Sequence, residues 1–336
     1  MKAWEIVSNG GVDALALTER ASLTPGFDEV LVRVRASSIN YRDLATIEDP
    51  EPRGIRYPTV PNSDCAGDVV AVGDGVIGFV PGDRVMGCFF NAWPDGDISS
   101  SIMAAALGGA VDGVLAEEVV LKASGIVRIP DTLSYEEAAT LPCAGVTAWN
   151  ALFGGKPIKA GETILLLGTG GVSVFAQQFA NIAGAETIVT SSSDAKLRRI
   201  MELGAAQTIN YKNNRDWETG VLDLTQGVGV DRVVEVGGPG TLQKSISAVR
   251  VGGHIALIGI LTGAAGQITP TDIMRKSLNV RGIYVGSRQM FETMVRAIDV
   301  HALKPVIDQV VPFKNAPEAY HLMRGAQHFG KIVITC

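Results

Sequence analysis

Four cysteines stand in the 336-residue chain, at positions 65, 88, 143 and 336, and no two form a C-x-x-C pair. Such spacing reads as reduced thiols in a cytoplasmic protein rather than a disulfide framework. No apolar run approaches the roughly 20 residues that a membrane-spanning helix needs. Met1–Glu5 carries charge where a signal peptide needs an apolar core. Basic residues are dispersed and the formal net charge is −6, which argues against nucleic acid or an anionic membrane as the main partner. What the chain does have is 46% hydrophobic residues and 39 glycines, most of them between short apolar runs. That composition suits a globular fold with many tight turns, and the length suits two domains.

One stretch organises the rest. Ile164–Leu167 is an apolar run that reads as a buried strand. Gly168, Gly170 and Gly171 follow, and a helical pattern begins at Val172. Strand, glycine turn and helix together place a pyrophosphate on the open N–H groups of a helix N-terminus. Ser173 stands at the third position of the usual G-x-G-x-x-G spacing, where helix–strand packing needs a small residue. A glycine turn in some other α/β unit is the plain alternative, and the surrounding pattern decides between the two.

Residues 1 to about 125 show short strands with turn signals between them: 30–34, 68–72, 83–86, 119–122 and 125–129. They suggest a small barrel or sandwich. The irregular stretch 91–112 reads as a surface loop with one helical turn, a candidate cleft wall or lid. Two segments here carry polar side chains beside strands, Ser38–Asp43 and Pro61–Gly67. Turn or helix capping is the competing reading for each of their residues.

From Ser134, a capping-box residue, the character changes. Counting the strand before the glycine turn, six strands alternate with helices as far as residue 285. This is the pattern of a doubly wound parallel sheet, the Rossmann architecture, and it puts the glycine turn after the first strand, where a dinucleotide fingerprint belongs. The second strand ends in Ser191, Ser192 and Ser193 rather than in an acid, and Asp194 falls at a helix start, where capping is its expected role. Hydroxyls with Lys196 just downstream suit a 2′-phosphate, whereas Arg198 and Arg199 read as a solvated helix face. A closing strand, Lys331–Ile334, has no place in the six-strand count and is expected to return to the first domain.

Five segments together carry a resemblance over essentially the whole chain: 69–73, 81–85, 141–148, 168–172 and 329–333. They resemble the medium-chain dehydrogenase/reductase superfamily. The resemblance implies a GroES-like catalytic domain of residues 1–125 and 287–336 and a dinucleotide-binding domain of residues 126–286. Where zinc-dependent members place a Cys, a His-Glu pair and a second Cys, this chain has Asn40, Ser63-Asp64 and Cys143. Asn and Ser are poor zinc ligands, so the chain is similar to the zinc-independent quinone oxidoreductase branch, whose Ser-Ile-Asn-Tyr-Arg-Asp resembles residues 38–43.

The resemblance further implies NADPH rather than NADH, held at its 2′-phosphate by Lys196 and Tyr211 beside Ser192. Thr147, Gly168, Thr169, Gly170, Gly171, Val172, Gly237, Gly259 and Lys331 complete the expected cofactor set. Asn40, Tyr41 and Asp64 are the expected catalytic set: Asn40 and Tyr41 as hydrogen-bond donors to a developing oxyanion, Asp64 as an orienting group. The expected activity is hydride transfer to a quinone or an α,β-unsaturated carbonyl. Alcohol or aldehyde redox chemistry and a non-enzymatic NADPH-binding role are the alternatives. A homodimer is expected through the last sheet strand, unless Lys276 and Arg281 protect that edge.

Overall fold

A computed structural model describes residues 1–336. The chain divides into two compact units, one of Met1–Val146 with Ser287–Cys336, the other of Thr147–Gly286. The expected boundary after residue 125 falls too early: residues 126–146 pack with the first unit, where the strand Ile126–Arg128 pairs with Arg84–Gly87.

The first unit opens with β1 (Lys2–Ile6), β2 (Leu15–Glu19), β3 (Glu29–Ile39), α1 (Tyr41–Glu48), β4 (Asp64–Val72), β5 (Arg84–Gly87), α2 (Ser100–Met103), β6 (Glu118–Lys122), β7 (Ile126–Arg128) and α3 (Tyr135–Ala139). The strand expected at 30–34 is the middle of β3, which buries Val30, Val32 and Val34 and runs on to Ile39. β3 turns directly into α1 at Asn40. The extended Asn40 donates its N–H to Asp43 Oδ2 at 2.8 Å, one arm of a capping box. Within 91–112, α2 is the one helical turn expected, capped by Ser99.

The second unit follows with α4 (Val146–Phe153), β8 (Thr163–Leu167), α5 (Gly171–Ile182), β9 (Glu186–Ser191), α6 (Asp194–Glu202), β10 (Gln207–Asn210), α7 (Trp217–Leu224), β11 (Val230–Glu235), α8 (Pro239–Ala248), β12 (Val249–Leu257), α9 (Pro270–Arg275) and β13 (Asn279–Gly282). Its six strands are all parallel, in the order β10-β9-β8-β11-β12-β13. Numbered from β8 this is 3-2-1-4-5-6, and the strand order reverses between β8 and β11. In such a sheet a dinucleotide binds at that switch point, beyond the strands' carboxyl ends. Ile164–Leu167 are buried throughout, as a central parallel strand covered on both faces requires.

The chain then returns to the first unit as α10 (Arg288–Val300), β14 (Ile307–Pro312), α11 (Ala316–Arg324) and β15 (Lys331–Thr335). β15 pairs antiparallel with β3 and parallel with β14, giving the order β14-β15-β3-β4-β5-β7 with β6 paired to β3. The expected return of the closing strand is thus observed. One core joins Val30, Val32, Val34 and Ile39 to Ile332, Ile334 and Tyr320.

At the open edge of the six-stranded sheet, neither basic residue guards β13. Lys276 Nζ donates to the carbonyls of Ile246, Ser247 and Val249 at 2.9, 2.7 and 2.8 Å, closing the C-terminus of α8. Arg281 turns to Asn150 Oδ1 at 2.8 Å. Removing the Lys276 ammonium strands three helix-end carbonyls. Lys276→Met is therefore expected to lower unfolding free energy by about 2 kcal/mol in urea titration, and a loss below about 0.5 kcal/mol would contradict this role.

Candidate active site

Strand register assembles the polar centre of the first unit. Ser38 lies opposite Asp64 across β3 and β4. Ile39 lies opposite Ile332 across β3 and β15, which brings Lys331 level with Asn40. Three residues separated in sequence by up to 291 positions thus meet at one end of three adjacent strands.

Asp64 is fully buried and accepts from Ser63 Oγ at 2.9 Å, Ser38 Oγ at 3.0 Å and Asn40 Nδ2 at 3.0 Å. Lys331 Nζ is 3.8 Å from Asp64 and donates to Asn40 Oδ1 at 2.6 Å and to the Ile39 carbonyl at 2.8 Å. Burial pushes the Asp64 carboxyl up, and the Lys331 ammonium is the strongest opposing pull, ahead of the Asn40 and Ser63 hydrogen bonds. All three hydrogen bonds to Asp64 come from donors, the pattern that suits a carboxylate.

Around this centre the scaffold is tied on every side. Arg42 Nη1 bonds Asp43 at 3.0 Å and the carbonyls of Leu107 and Gly108 at 2.8 and 3.1 Å, which fastens α1 to the 91–112 stretch. Asn62 sits at φ +69°, accepts from the Tyr320 hydroxyl and donates to Ser37 Oγ at 3.0 Å. It thereby fixes the Ser63-Asp64 backbone from α11. Tyr41, the first residue of α1, is 45% exposed and leaves its phenol available to a ligand.

Residues 40, 63 and 64, where zinc-dependent members place ligands, are hydrogen-bonded within the site. Both ends of the Asn40 carboxamide are engaged, and Ser63 spends its proton on Asp64. Cys143 lies in a wide helical turn over Leu141–Gly145, and burial first, Asp64 second, drive its thiol pKa up. No three His, Cys, Asp or Glu side chains are grouped as ligands anywhere in the chain.

The second unit holds the glycine cradle. Gly168 ends β8 at φ +76°, a conformation that glycine adopts without strain. Gly170 caps α5 with no side chain over the first turn, and the helix ladder starts only with Val174 N–H to Gly170 O at 3.0 Å. Gly171, Val172 and Ser173 occupy that turn, whose N–H groups have no intrahelical partner. A Cβ added at Gly168 or Gly170 would meet nothing within 4 Å. This open space over a helix N-terminus fits a pyrophosphate. The Ser173 hydroxyl turns inward to the Leu167 carbonyl at 2.7 Å, tying helix to strand where the third glycine normally stands.

The other expected cofactor residues divide. Thr169 and Thr147 are buried, Thr169 inside the turn and Thr147 at the start of α4. Ser192 and Lys196 are half-buried after β9, and Tyr211, 41% exposed, follows β10 and donates its N–H to Ser191 O at 3.1 Å. Ser193, not Asp194, is the cap of α6, and Asp194 accepts from Asn210 Nδ2 at 2.6 Å. Gly259 is a packing glycine, since a Cβ there would lie 2.0 Å from the Val236 carbonyl oxygen. Lys331 lies in the first unit with its ammonium on Asn40, a placement its motif did not suggest.

Sequence reasoning missed Glu235. Its buried Oε1 accepts from Gly237 N, Gly238 N and Thr241 Oγ1 at 2.7, 3.0 and 2.6 Å, and Oε2 accepts from Ser245. It shapes the loop after β11, including Gly237. The available signal was an acid directly before Val-Gly-Gly-Pro at a strand end.

Two family models match the chain: the alcohol dehydrogenase GroES-like domain over residues 26–131 and the zinc-binding dehydrogenase family over residues 171–299. A zinc-type alcohol dehydrogenase-like protein of Schizosaccharomyces pombe is 46% identical over 93% of this chain and 91% of its own. The chain belongs to the medium-chain dehydrogenase/reductase superfamily. Like other members of this superfamily it is an oxidoreductase. The crystal structure of an NAD-dependent alcohol dehydrogenase is 33% identical, with TM-score 0.91 and full coverage of both chains. A mycobacterial structure complexed with NADPH is 26% identical, with TM-score 0.84 and full coverage of both chains.

Two glycine variants separate cradle from packing. Gly170→Ala is expected to change stability by less than about 0.5 kcal/mol yet weaken NADPH and NADH binding at least about tenfold in fluorescence titration. Gly259→Ala is expected to cost about 3 kcal/mol in thermal or urea unfolding. Unaltered cofactor binding in Gly170→Ala would contradict the cradle.

Proposed function

We propose that this chain is an NADPH-dependent reductase that adds hydride to a quinone or to the β-carbon of an α,β-unsaturated carbonyl, without zinc. One observation carries the reading: Asn40 and Asp64, two of the positions where zinc-dependent members place ligands, are hydrogen-bonded to each other, and Asn40 also to Lys331. Without a Lewis acid, the negative charge that builds on the substrate oxygen must be met by hydrogen-bond donors. The Asn40 carboxamide and the Tyr41 hydroxyl are those donors.

Bound NADPH would supply the hydride. Gly168–Val172 would hold its pyrophosphate, and Ser192, Lys196 and Tyr211 its 2′-phosphate. An acid that would favour NADH does not end β9, where Ser191, Ser192 and Ser193 stand, and Asp194 lies one step on, in the first turn of α6. Asp64 orients Asn40. Tyr41 or solvent supplies the proton to the substrate.

Alcohol or aldehyde redox chemistry is the second reading, favoured by the names of the zinc-type relative and of the zinc-binding dehydrogenase family. It predicts that added zinc binds at Cys143 and activates. A cofactor-binding protein without turnover is the third.

NADPH oxidation with quinones and enones is the direct test. Turnover indifferent to chelator, with metal analysis below about 0.1 zinc per chain, is the expected outcome of a site lacking three ligands. Lys196→Ala is expected to raise KM for NADPH about tenfold while leaving NADH unaffected. No turnover with any acceptor would sink the reductase reading, and activation by added zinc would favour the second.

We also propose a homodimer through β13. Its strand edge lacks the charged guards that blunt exposed edges, since Lys276 and Arg281 point to their own unit. Light scattering is expected to give twice the chain mass. A monomer at micromolar concentration would contradict it.

A further inference from the structure

The buried ion pair of Asp64 and Lys331 does not touch. Their side chains are 0% and 3% exposed, their closest oxygen and nitrogen are 3.8 Å apart, and the Asn40 carboxamide bridges them. The ammonium binds its oxygen at 2.6 Å and the carboxylate binds its nitrogen at 3.0 Å. Burying a separated ion pair adds little stability, and neutral residues of equal size commonly serve as well. The arrangement does, however, act on the amide. An ammonium at the carbonyl oxygen draws electron density from nitrogen and makes the N–H groups stronger donors, and low dielectric strengthens the effect. One of the two amide hydrogens goes to Asp64, and the second has no protein acceptor. Both ends of the carboxamide being fixed, that second N–H has a single direction.

We propose that Lys331 is a positioning residue for the reduction: its ammonium polarises and orients Asn40 so that the second amide hydrogen serves as the oxyanion donor. Lys331 thus supplies, from within the chain, the positive charge that a metal supplies in zinc-dependent members. The inference rests on the reductase reading. As hydride bonds to the β-carbon of an enone, the C=C π pair moves to the α-carbon and onto the carbonyl oxygen, giving an enolate. The oxygen accepts from Asn40, and a proton from Tyr41 or water then bonds the α-carbon. The substrate gains two electrons and NADPH loses two, and Lys331 takes no part in the proton transfer.

The test compares wild type with Lys331→Met, Lys331→Arg and the neutral pair Lys331→Met/Asp64→Asn, which keeps the fold without a stranded charge. NADPH affinity is measured by fluorescence, stability by thermal melting, and kcat and KM with an enone. The neutral pair is expected to melt like wild type, bind NADPH within about threefold of wild type, and lose about 30–100-fold in kcat with little change in KM. Lys331→Arg is expected to recover kcat to within about fivefold. A folded neutral pair with wild-type kcat would overturn the proposal. So would a tenfold loss of NADPH affinity with kcat retained, which would make Lys331 a cofactor contact. A wild-type enzyme inert toward every enone and quinone would overturn the reductase reading and this inference with it, a result visible before any variant is made.

Discussion

A charged side chain shut away from water must be met by partners, and in the first unit that requirement falls on Lys331. Its ammonium finds acceptors only because β15 enters the sheet beside β3 in a single register, Ile332 against Ile39. A slip of one residue would turn every side chain of β15 to the opposite face, leaving the ammonium unmet and Asp64 without its buried positive neighbour. The last strand of the chain is therefore pinned to the third by chemistry as well as by apolar packing. The polar centre built this way is rigid from three directions: Asp43 and Arg42 through α1, Asn62 and Tyr320 through α11, and Ser38 through β3.

The second unit meets a different constraint. Its glycine turn must leave backbone N–H groups bare and the space above them empty. The glycines separate by what a methyl group would strike. At Gly168 and Gly170 it would strike nothing, so the protein's own packing does not require their bareness, whereas at Gly259 it would strike Val236. Empty space above open helix donors is what a pyrophosphate uses. Glu235 serves the neighbouring loop by collecting four donors on one buried carboxylate.

Much of this was legible in the chain. The six-strand alternation, the glycine turn after its first strand and the return of residues 331–334 follow from local apolar periods and glycine stops, which record local geometry faithfully. What was not legible depends on register between distant strands. Ser38, Asn40, Asp64 and Lys331 each look like ordinary polar residues beside strands, and only the pairing of β15, β3 and β4 makes them one group. The motif around Lys331 resembles others in the superfamily, but motif position does not encode that its ammonium meets Asn40. The 125/126 boundary failed for a related reason: β7 and β5 each read as strands from sequence, but their pairing does not. β1 and β2 were passed over altogether, although they pair along their whole length.

The central claim is that the first unit's hydrogen-bond network, not a metal, receives the substrate's developing charge. A crystal structure with NADP⁺ and a bound enone tests it most directly. The account expects the enone oxygen at about 2.7–3.1 Å from Asn40 Nδ2, with Lys331 still on Asn40 Oδ1. An enone oxygen bound to a metal ion, or seated away from Asn40, would contradict it.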